Sequence, residues 1–247
     1  MSLLPTKAEF FYSDDYSYKR QELEFFPTEE FPSAKNLELN YPIIRQELEA
    51  YINGTINASV DNANPPKLSY DNSWKHLYFM NFLWQFNTAK KLFPKTYNII
   101  RGRPDITLAG VALLEPGGKV LPHCGDTNAI VRCHLGLQIP SGLPDCGLRV
   151  KTKRKQWEEG KVICFNDAYE HEAWNLTEKK RYVLIFDIIK PEFFHSRKNI
   201  CAYALGVLSF KYFASKMSVL KCSPLWLKKF LSASFALVWR SYLIFQP

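Results

Sequence analysis

The stretch VLPHCGDTNAIVRCHLGLQIP, residues 120–140, decides the fold because it sets two histidines in sequence that is otherwise typical of sheet. In its second half, Arg132 and His134 interrupt an apolar run. Side chains of a strand alternate between its two faces, so these two residues point the same way, opposite a uniformly apolar face. We therefore expect a strand with one core face and one polar face. From this strand alone, the polar face is as compatible with solvent as with the interior of a site.

The sequence around this stretch predicts a fold that is mainly β. Residues 106–189 consist of short apolar runs separated by turns that contain glycine and proline, with no helical pattern between them. Many short strands at regular spacing are typical of a sandwich or a barrel. Upstream, we expect irregular structure over residues 1–35, an amphipathic helix over 41–52, a loop over 62–72, a strand over 74–84 and a short helix over 88–94.

Length and composition indicate an ordinary folded domain. The 247-residue chain is 47% hydrophobic, which is enough to bury a full core. The first twenty residues do not match a secretory signal peptide, because no basic segment precedes an apolar run. The six cysteines form no CxxC pair. We therefore expect reduced thiols and a protein that is cytoplasmic, or peripheral on the inner face of a membrane.

The net charge of +8 comes from the last fifth of the chain. Residues 193–247 hold eight lysines and arginines, twelve aromatic residues and no acidic residue, whereas the charges of the remainder balance. Ser223 and Pro224 are suited to begin a helix, and the apolar runs of this segment are too short to span a bilayer. Two interpretations stay open: a helix on an anionic membrane surface, or a helical cap packed on the barrel. The interleaved aliphatic residues argue against nucleic acid as a partner.

Three more residues complete a candidate site with Arg132 and His134. His123 ends one predicted strand, His171 begins a later one, and Arg181 opens a long apolar strand. Taken alone, Arg181 is as compatible with an edge residue whose charged end reaches solvent. Together, two histidines and two arginines suit a metal ion and a dicarboxylate, because imidazole binds Fe(II) and guanidinium pairs with carboxylates.

The third ligand that a non-haem Fe(II) site usually has is missing from its expected place. Such sites add one carboxylate to two histidines. The His-x-Asp/Glu position after His123 is Gly125, and Asp126 lies one residue further on. In a regular strand, that offset turns Asp126 to the opposite face. We expect water to take the vacant coordination place, and Cys124 and Cys133 to be core thiols that face away from the metal.

Residues 113–193 resemble the aspartyl/asparaginyl β-hydroxylase family. The resemblance rests on PGGKVLPHCGDTNAIVRCHLGL, on WEEGKVICFNDAYEHEAW and on the arginine at position 181 that follows them; NSWKHLYF and the helix before it match more weakly. It implies a double-stranded β-helix (a jelly-roll or cupin-like core) with flanking α-helices and a C-terminal helical extension. It also implies an oxygenase that uses Fe(II), 2-oxoglutarate and O2.

The resemblance assigns a role to each candidate residue by its matching position. His123 and His171 become the catalytic metal ligands. Arg181 binds the distal carboxylate of 2-oxoglutarate, and Arg132 and His134 contact the end nearer the metal.

Two further positions bear on the branch of the family. Gly125 agrees with the peptidyl hydroxylases, which work with two histidines. Ala112 departs from them, because they carry a serine there that helps to hold 2-oxoglutarate.

The reaction that the resemblance implies is hydroxylation of a C–H bond, first of all at the β-carbon of an aspartyl or asparaginyl residue. The alternative is a membrane-associated lipid acyl-chain hydroxylase, since the family includes lipid hydroxylases with hydrophobic C-terminal segments. A non-enzymatic binding module on the same barrel is a second alternative, against which the retained histidines and arginine argue. We expect an oxygenase domain over residues 1–195, with a core at about 100–193, and a basic helical extension over 196–247.

Overall fold

The computed structural model describes residues 8–12, 18–54 and 73–244. Within these ranges the chain forms eleven β-strands, seven α-helices and two short 3-10 helices. The strands are β1 (Phe25–Phe26), β2 (Trp74–Asn81), β3 (Trp84–Gln85), β4 (Ile106–Leu114), β5 (Lys119–His123), β6 (Ile130–Gln138), β7 (Cys146–Val150), β8 (Lys153–Lys155), β9 (Val162–Phe165), β10 (His171–Asn175) and β11 (Arg181–Ile189). The helices are α1 (Pro32–Leu39), α2 (Tyr41–Ile52), α3 (Asn87–Leu92), α4 (Pro94–Arg101), α5 (Arg197–Lys216), α6 (Ser218–Lys221) and α7 (Leu225–Ile244).

The strands form two antiparallel sheets that pack face to face. The larger sheet has the order β1-β9-β6-β11-β4-β2-β3, and the smaller has the order β5-β10-β7-β8. Between them lies an apolar core to which Ala112 and Val183 contribute from the larger sheet and Val120 and Leu148 from the smaller. This arrangement is a double-stranded β-helix, so the predicted mainly-β jelly roll with flanking helices is confirmed.

The N-terminal helices cover the outer face of the larger sheet. Leu37 of α1 and Ile44 and Leu48 of α2 are fully buried in one cluster with Val131 and Leu135 of β6. These two strand residues belong to the apolar face predicted for β6. Because that face is covered by helices, the opposite face, which carries Arg132 and His134, points between the sheets.

The predictions for the segments before the barrel were partly confirmed and partly wrong. The helix over 41–52 is confirmed as α2, and the short helix near 88–94 as α3. The irregular structure expected over 1–35 is wrong at its end, because β1 pairs with β9 and α1 begins at Pro32. The strand expected over 74–84 is interrupted by a turn at Phe82 and Leu83, and the loop expected over 62–72 lies outside the described residues.

The C-terminal helices form a hairpin in which α5 packs on the barrel and α7 packs on α5. Eight residues of α5 are buried, among them Cys201 and Leu205, which contact Phe82. In contrast, α7 buries only Ser232, Ala236 and Leu243. The predicted helical cap on the barrel therefore corresponds to α5, whereas most of the surface of α7 is exposed. None of the described helices combines the length and apolarity needed to cross a membrane. The division of the chain after residue 195 stays a prediction.

Candidate active site

The two predicted metal-binding histidines meet on the inner face of the smaller sheet. His123 ends β5 and His171 begins β10, and the two are direct partners in the antiparallel register. Their ring centroids lie 4.2 Å apart. Nδ1 of His123 is 2.7 Å from the carbonyl oxygen of Leu121, and Nδ1 of His171 is 2.8 Å from that of Tyr169. Since a carbonyl only accepts, both Nδ1 atoms carry the proton, and each Nε2 keeps a lone pair that suits a metal ion.

A carboxylate that the sequence did not point to lies beside this pair. Asp167, on the turn between β9 and β10, is fully buried, and its Oδ1 lies 3.4 Å from Nε2 of His171 and 2.8 Å from Nη1 of Arg132. A Cβ atom at Gly125 would come within 1.6 Å of the Asp167 carboxylate. The space that a side chain at position 125 would need is therefore filled by Asp167. Burial raises the pKa of Asp167 to about 7, although Arg132 opposes this shift.

Arg132 holds carboxylates of the protein itself. Its Nε and Nη2 each donate to one oxygen of Asp187 at 2.8 Å, and its Nη1 contacts Asp167. Burial alone would lower the pKa of Arg132, but the two carboxylates reverse this and raise it. Arg132 also lines the cavity described below, so its contact with 2-oxoglutarate stays a prediction. The contacts that the structure shows for Arg132 are those with Asp187 and Asp167. Asp126 lies beyond the end of β5, so the strand alternation expected for it does not apply, and it contacts Lys211 of α5.

Arg181 and His134 lie deep between the sheets, and several of their nitrogens have no hydrogen-bond partner among the described residues. Arg181 is 1% exposed, and its Nε and Nη1 lack a hydrogen-bond partner in the described part of the chain. Its guanidinium group lies over the Trp157 ring, 4.6 Å from the centroid. Both ring nitrogens of His134 are likewise unpartnered among the described residues. Burial, together with Arg181 and Arg132, holds the pKa of His134 well below its usual range, so this imidazole is neutral. The solvent-facing interpretations of both residues are therefore wrong.

One cavity joins these groups. It has a volume of about 360 Å³ including its open mouth, and all five predicted site residues line it: His123, Arg132, His134, His171 and Arg181. Apolar walls are supplied by Trp74, Val120, Leu148 and Ile185. The arrangement offers the imidazole pair of His123 and His171 at one place and, at another, the buried Arg181 cation, two of whose nitrogens have no hydrogen-bond partner among the described residues. Such a cavity suits an elongated anion that has one end next to Arg181 and the other end next to the imidazole pair.

The described residues contain no group of three or more His, Cys, Asp or Glu side chains that is arranged to hold a metal ion. His123 and His171 are the pair of imidazoles that the sheet register brings together. Cys133 takes no part, because it lies in the core on the far face of β6, where its Sγ is 3.3 Å from that of Cys164. All six thiols are free.

Comparisons with known proteins agree with this geometry. The family model described as Aspartyl/Asparaginyl beta-hydroxylase matches residues 38–191. The chain belongs to this family. The match covers helix α2 and the strands β2 to β11, and membership places the chain among hydroxylases.

Two curated relatives differ in the substrate that their names give. The chain is 36% identical over 169 residues to an ornithine lipid ester-linked acyl 2-hydroxylase of Rhizobium tropici, with 67% of this chain and 60% of that protein covered. It is 34% identical over 170 residues to an aspartyl/asparaginyl beta-hydroxylase of Homo sapiens, with 64% of this chain and 21% of that protein covered. The chain thus spans less than two thirds of the length of either relative.

Among solved structures, a Cupin 2 conserved barrel domain protein from Salinispora arenicola is similar, at 12% identity and a TM-score of 0.33. The alignment covers 57% of this chain and 99% of that one.

Proposed function

We propose that the protein is an Fe(II)- and 2-oxoglutarate-dependent hydroxylase that uses O2. The observation that carries the proposal is the buried guanidinium of Arg181, two of whose nitrogens have no hydrogen-bond partner in the described part of the chain, in the same cavity as the imidazole pair of His123 and His171. Burying an unpaired charge is costly, so such an arrangement persists where a bound anion balances it. A dicarboxylate that reaches from Arg181 to a metal ion fits this requirement.

The residues present fit an Fe(II) ion. His123 and His171 would hold it through Nε2, since a backbone carbonyl orients each ring from the other side. Asp167, whose Oδ1 lies 3.4 Å from Nε2 of His171, would accept a hydrogen bond from a water molecule that fills the remaining coordination place. The metal, when bound, supplies oxygen activation coupled to decarboxylation of 2-oxoglutarate.

The protein side of this chemistry is binding and exclusion of water. Arg181 would bind one carboxylate of 2-oxoglutarate, and neutral His134 would donate a hydrogen bond to the same molecule. The Trp157 ring lies against the guanidinium group of Arg181 and holds its orientation. No general base is required, because the hydrogen atom leaves a C–H bond rather than a polar group. The apolar walls keep bulk water away from the reacting atoms.

Two substrate classes remain candidates, and each has its own support. The family description supports the β-carbon of an aspartyl or asparaginyl residue of a protein. The exposed apolar surface of α7 supports a second candidate, the acyl chain of a lipid. Trp226, Phe230 and Leu237 are each more than 60% exposed on this helix, which is unusual for a surface in contact with water alone.

A comparison of the wild type with His123→Ala and His171→Ala tests the proposal. With Fe(II), O2 and extracts of host protein or lipid, the wild type should consume 2-oxoglutarate, and mass spectrometry should find one added oxygen atom in one of the two fractions. Both variants should lose turnover by at least a hundredfold, because each removes one of the two side chains that are proposed to bind the metal. Turnover that persists in either variant would refute the metal assignment. Oxygen in the protein fraction selects the first candidate, and oxygen in the lipid fraction selects the second.

A further inference from the structure

His76 is a third buried histidine that the predicted site does not include. It lies on β2 and is 5% exposed. Neither of its ring nitrogens has a hydrogen-bond partner within the described ranges. A buried imidazole that makes no hydrogen bond is costly, because the ring loses its hydrogen bonds to water and gains none from the protein. Groups of this kind in a native protein usually await a ligand or an ordered water molecule.

His76 lies next to the cavity but is not among the residues that line it. Trp74, two residues earlier on the same face of β2, lines the cavity, and its ring centroid is 4.2 Å from that of His76. On its other side, His76 stacks on Tyr78 at 5.1 Å and 13°. Burial lowers the pKa of His76 to about 3, and the next largest causes are the charges of Arg132 and Arg181. His76 is therefore a neutral group, held flat by an aromatic ring, within the electrostatic reach of the site arginines.

The sheet register places this imidazole on the same face of the larger sheet as Arg181. His76 lies directly opposite Ala112 of β4, Ala112 lies opposite Val183 of β11, and Val183 lies opposite Gly136 of β6. This row crosses the larger sheet immediately beside Arg181, which is two residues from Val183 on the same face. Its members other than His76 are small or purely apolar. The row thus places one polar side chain, that of His76, on the inner face of the larger sheet close to Arg181.

We infer that His76 is a binding residue for the carboxylate of 2-oxoglutarate that Arg181 holds. Its ring N–H donates a hydrogen bond to that carboxylate from β2, across the small side chain of Ala112, while the Tyr78 ring fixes the imidazole plane. The inference rests on the proposed function, since it takes 2-oxoglutarate as the cosubstrate. It also accounts for the alanine at position 112, because the opposite strand provides the donor that a hydroxyl at 112 would otherwise supply.

Two substitutions of similar size separate this role from packing. His76→Gln keeps an N–H donor and His76→Leu removes it, so both disturb the core in a comparable way but only the second loses the hydrogen bond. Binding of 2-oxoglutarate to the Fe(II)-loaded protein is measured by calorimetry without oxygen. His76→Leu should raise the dissociation constant at least tenfold, the factor expected for a lost hydrogen bond to a charged group, and His76→Gln should stay within about threefold of the wild type. Adding Ala112→Ser to His76→Leu should recover most of the loss, because it restores a donor directly across the strand pair.

The outcomes distinguish the two proposals. If the Fe(II)-loaded wild type does not bind 2-oxoglutarate, the proposed function itself fails. If the wild type binds it and His76→Leu binds it equally well, only the role of His76 is refuted, whatever the thermal stability of the variant. A crystal structure of the wild type with Fe(II) and 2-oxoglutarate, grown without oxygen, needs no substitution. It should place a ring nitrogen of His76 about 2.7–3.2 Å from a carboxylate oxygen, and a longer separation would overturn the inference.

Discussion

At the scale of the residue, Arg181 is expected to lower the stability of the ligand-free protein. Its guanidinium is buried against Trp157, and two of its nitrogens lack partners in the part of the chain that the structure describes. Burial lowers the pKa of Arg181 to about 10, which means that the folded environment disfavours the charged form. A bound carboxylate removes this penalty. The ligand-free protein is therefore expected to be less stable than the same fold without this charge.

This expectation is tested by Arg181→Met, which keeps the length of the side chain and its contact with Trp157. We expect the ligand-free variant to unfold at a higher temperature, by roughly 2–8 °C, if relief of the unpaired charge amounts to about 1–2 kcal/mol. We also expect 2-oxoglutarate no longer to raise the melting temperature, because its anchor is gone. Scanning calorimetry with and without 2-oxoglutarate measures both effects.

Arg154→Met is the matched control, because Arg154 also lies over a tryptophan ring, that of Trp174, but is exposed. It should change stability by less than about 0.5 kcal/mol and leave the 2-oxoglutarate effect intact. A lower melting temperature for ligand-free Arg181→Met would contradict the argument that this charge is unpaired.

The residues of the site were predictable to different degrees. His123, His171 and Arg181 stand in sequence motifs whose spacing fixes them on particular strands, and His134 follows from the alternation along β6. Asp167 was not predictable, because its position depends on the turn before β10 and on the missing Cβ at position 125. Those are properties of two segments about forty residues apart, which only the folded chain brings together.

At the scale of the element, the conformation of the turn between β2 and β3 depends on its contact with helix α5. Phe82 and Leu83 both have positive φ, 45° and 67°, which is unusual for bulky residues. The turn carries Phe82 into contact with Cys201 and Leu205 of α5, where it is 2% exposed. The apolar run of residues 74–84 therefore predicted one strand, since nothing local marks the turn. The contact with α5 decides it.

The packing of α5 on α7 depends on one small residue. A Cβ atom at Gly206 would lie 2.3 Å from the carbonyl oxygen of Ser232 and 3.1 Å from Cβ of Ala236. Gly206→Val should therefore force the helices apart and lower the free energy of unfolding by about 1–3 kcal/mol. Thermal unfolding followed by circular dichroism measures this change.

Gly102→Ala is the control for this prediction, because the nearest atoms to a Cβ there are carbonyl oxygens at 3.6 Å, an ordinary contact. It should be neutral or slightly stabilising. Wild-type stability in Gly206→Val would mean that α7 is not held against α5 by this contact. Catalytic turnover is expected to survive in either variant, since both positions lie outside the cavity lining.

At the scale of the whole molecule, the chain combines a charge-balanced barrel with a basic helical hairpin. Composition alone was enough to predict this contrast, because the last 55 residues hold all of the excess positive charge. It was not enough to choose between a cap and a membrane-binding helix, since both need aromatic and aliphatic residues. The structure assigns the cap to α5 through its buried contacts, and it leaves α7 with an apolar surface that faces outward.

That outward surface has the pattern of a helix that lies on a membrane. Trp226, Phe230, Leu237 and Ile244 are spaced by four, seven and seven residues, so they form one stripe, and all four are exposed. Exposed basic residues accompany the stripe on the hairpin: Lys216, Lys221, Lys229 and Arg240. Each basic residue close to an anionic surface contributes about 1 kcal/mol, in addition to the apolar area that becomes buried.

We therefore expect the intact protein to co-sediment with vesicles that contain anionic lipid, and to bind less as salt is raised, because screening shortens the reach of the charges.

Trp226→Ser combined with Phe230→Ser should weaken binding at least tenfold without unfolding the protein, since both side chains are already exposed. Leu39→Ser, at an 80% exposed leucine of α1, is the matched control and should bind like the wild type. Deleting the hairpin is a poorer test, because it would also uncover the core residues that α5 protects. If the intact protein stays in the supernatant with anionic vesicles at low salt, α7 has another partner, and the acyl-chain candidate loses the observation that favours it over a protein substrate.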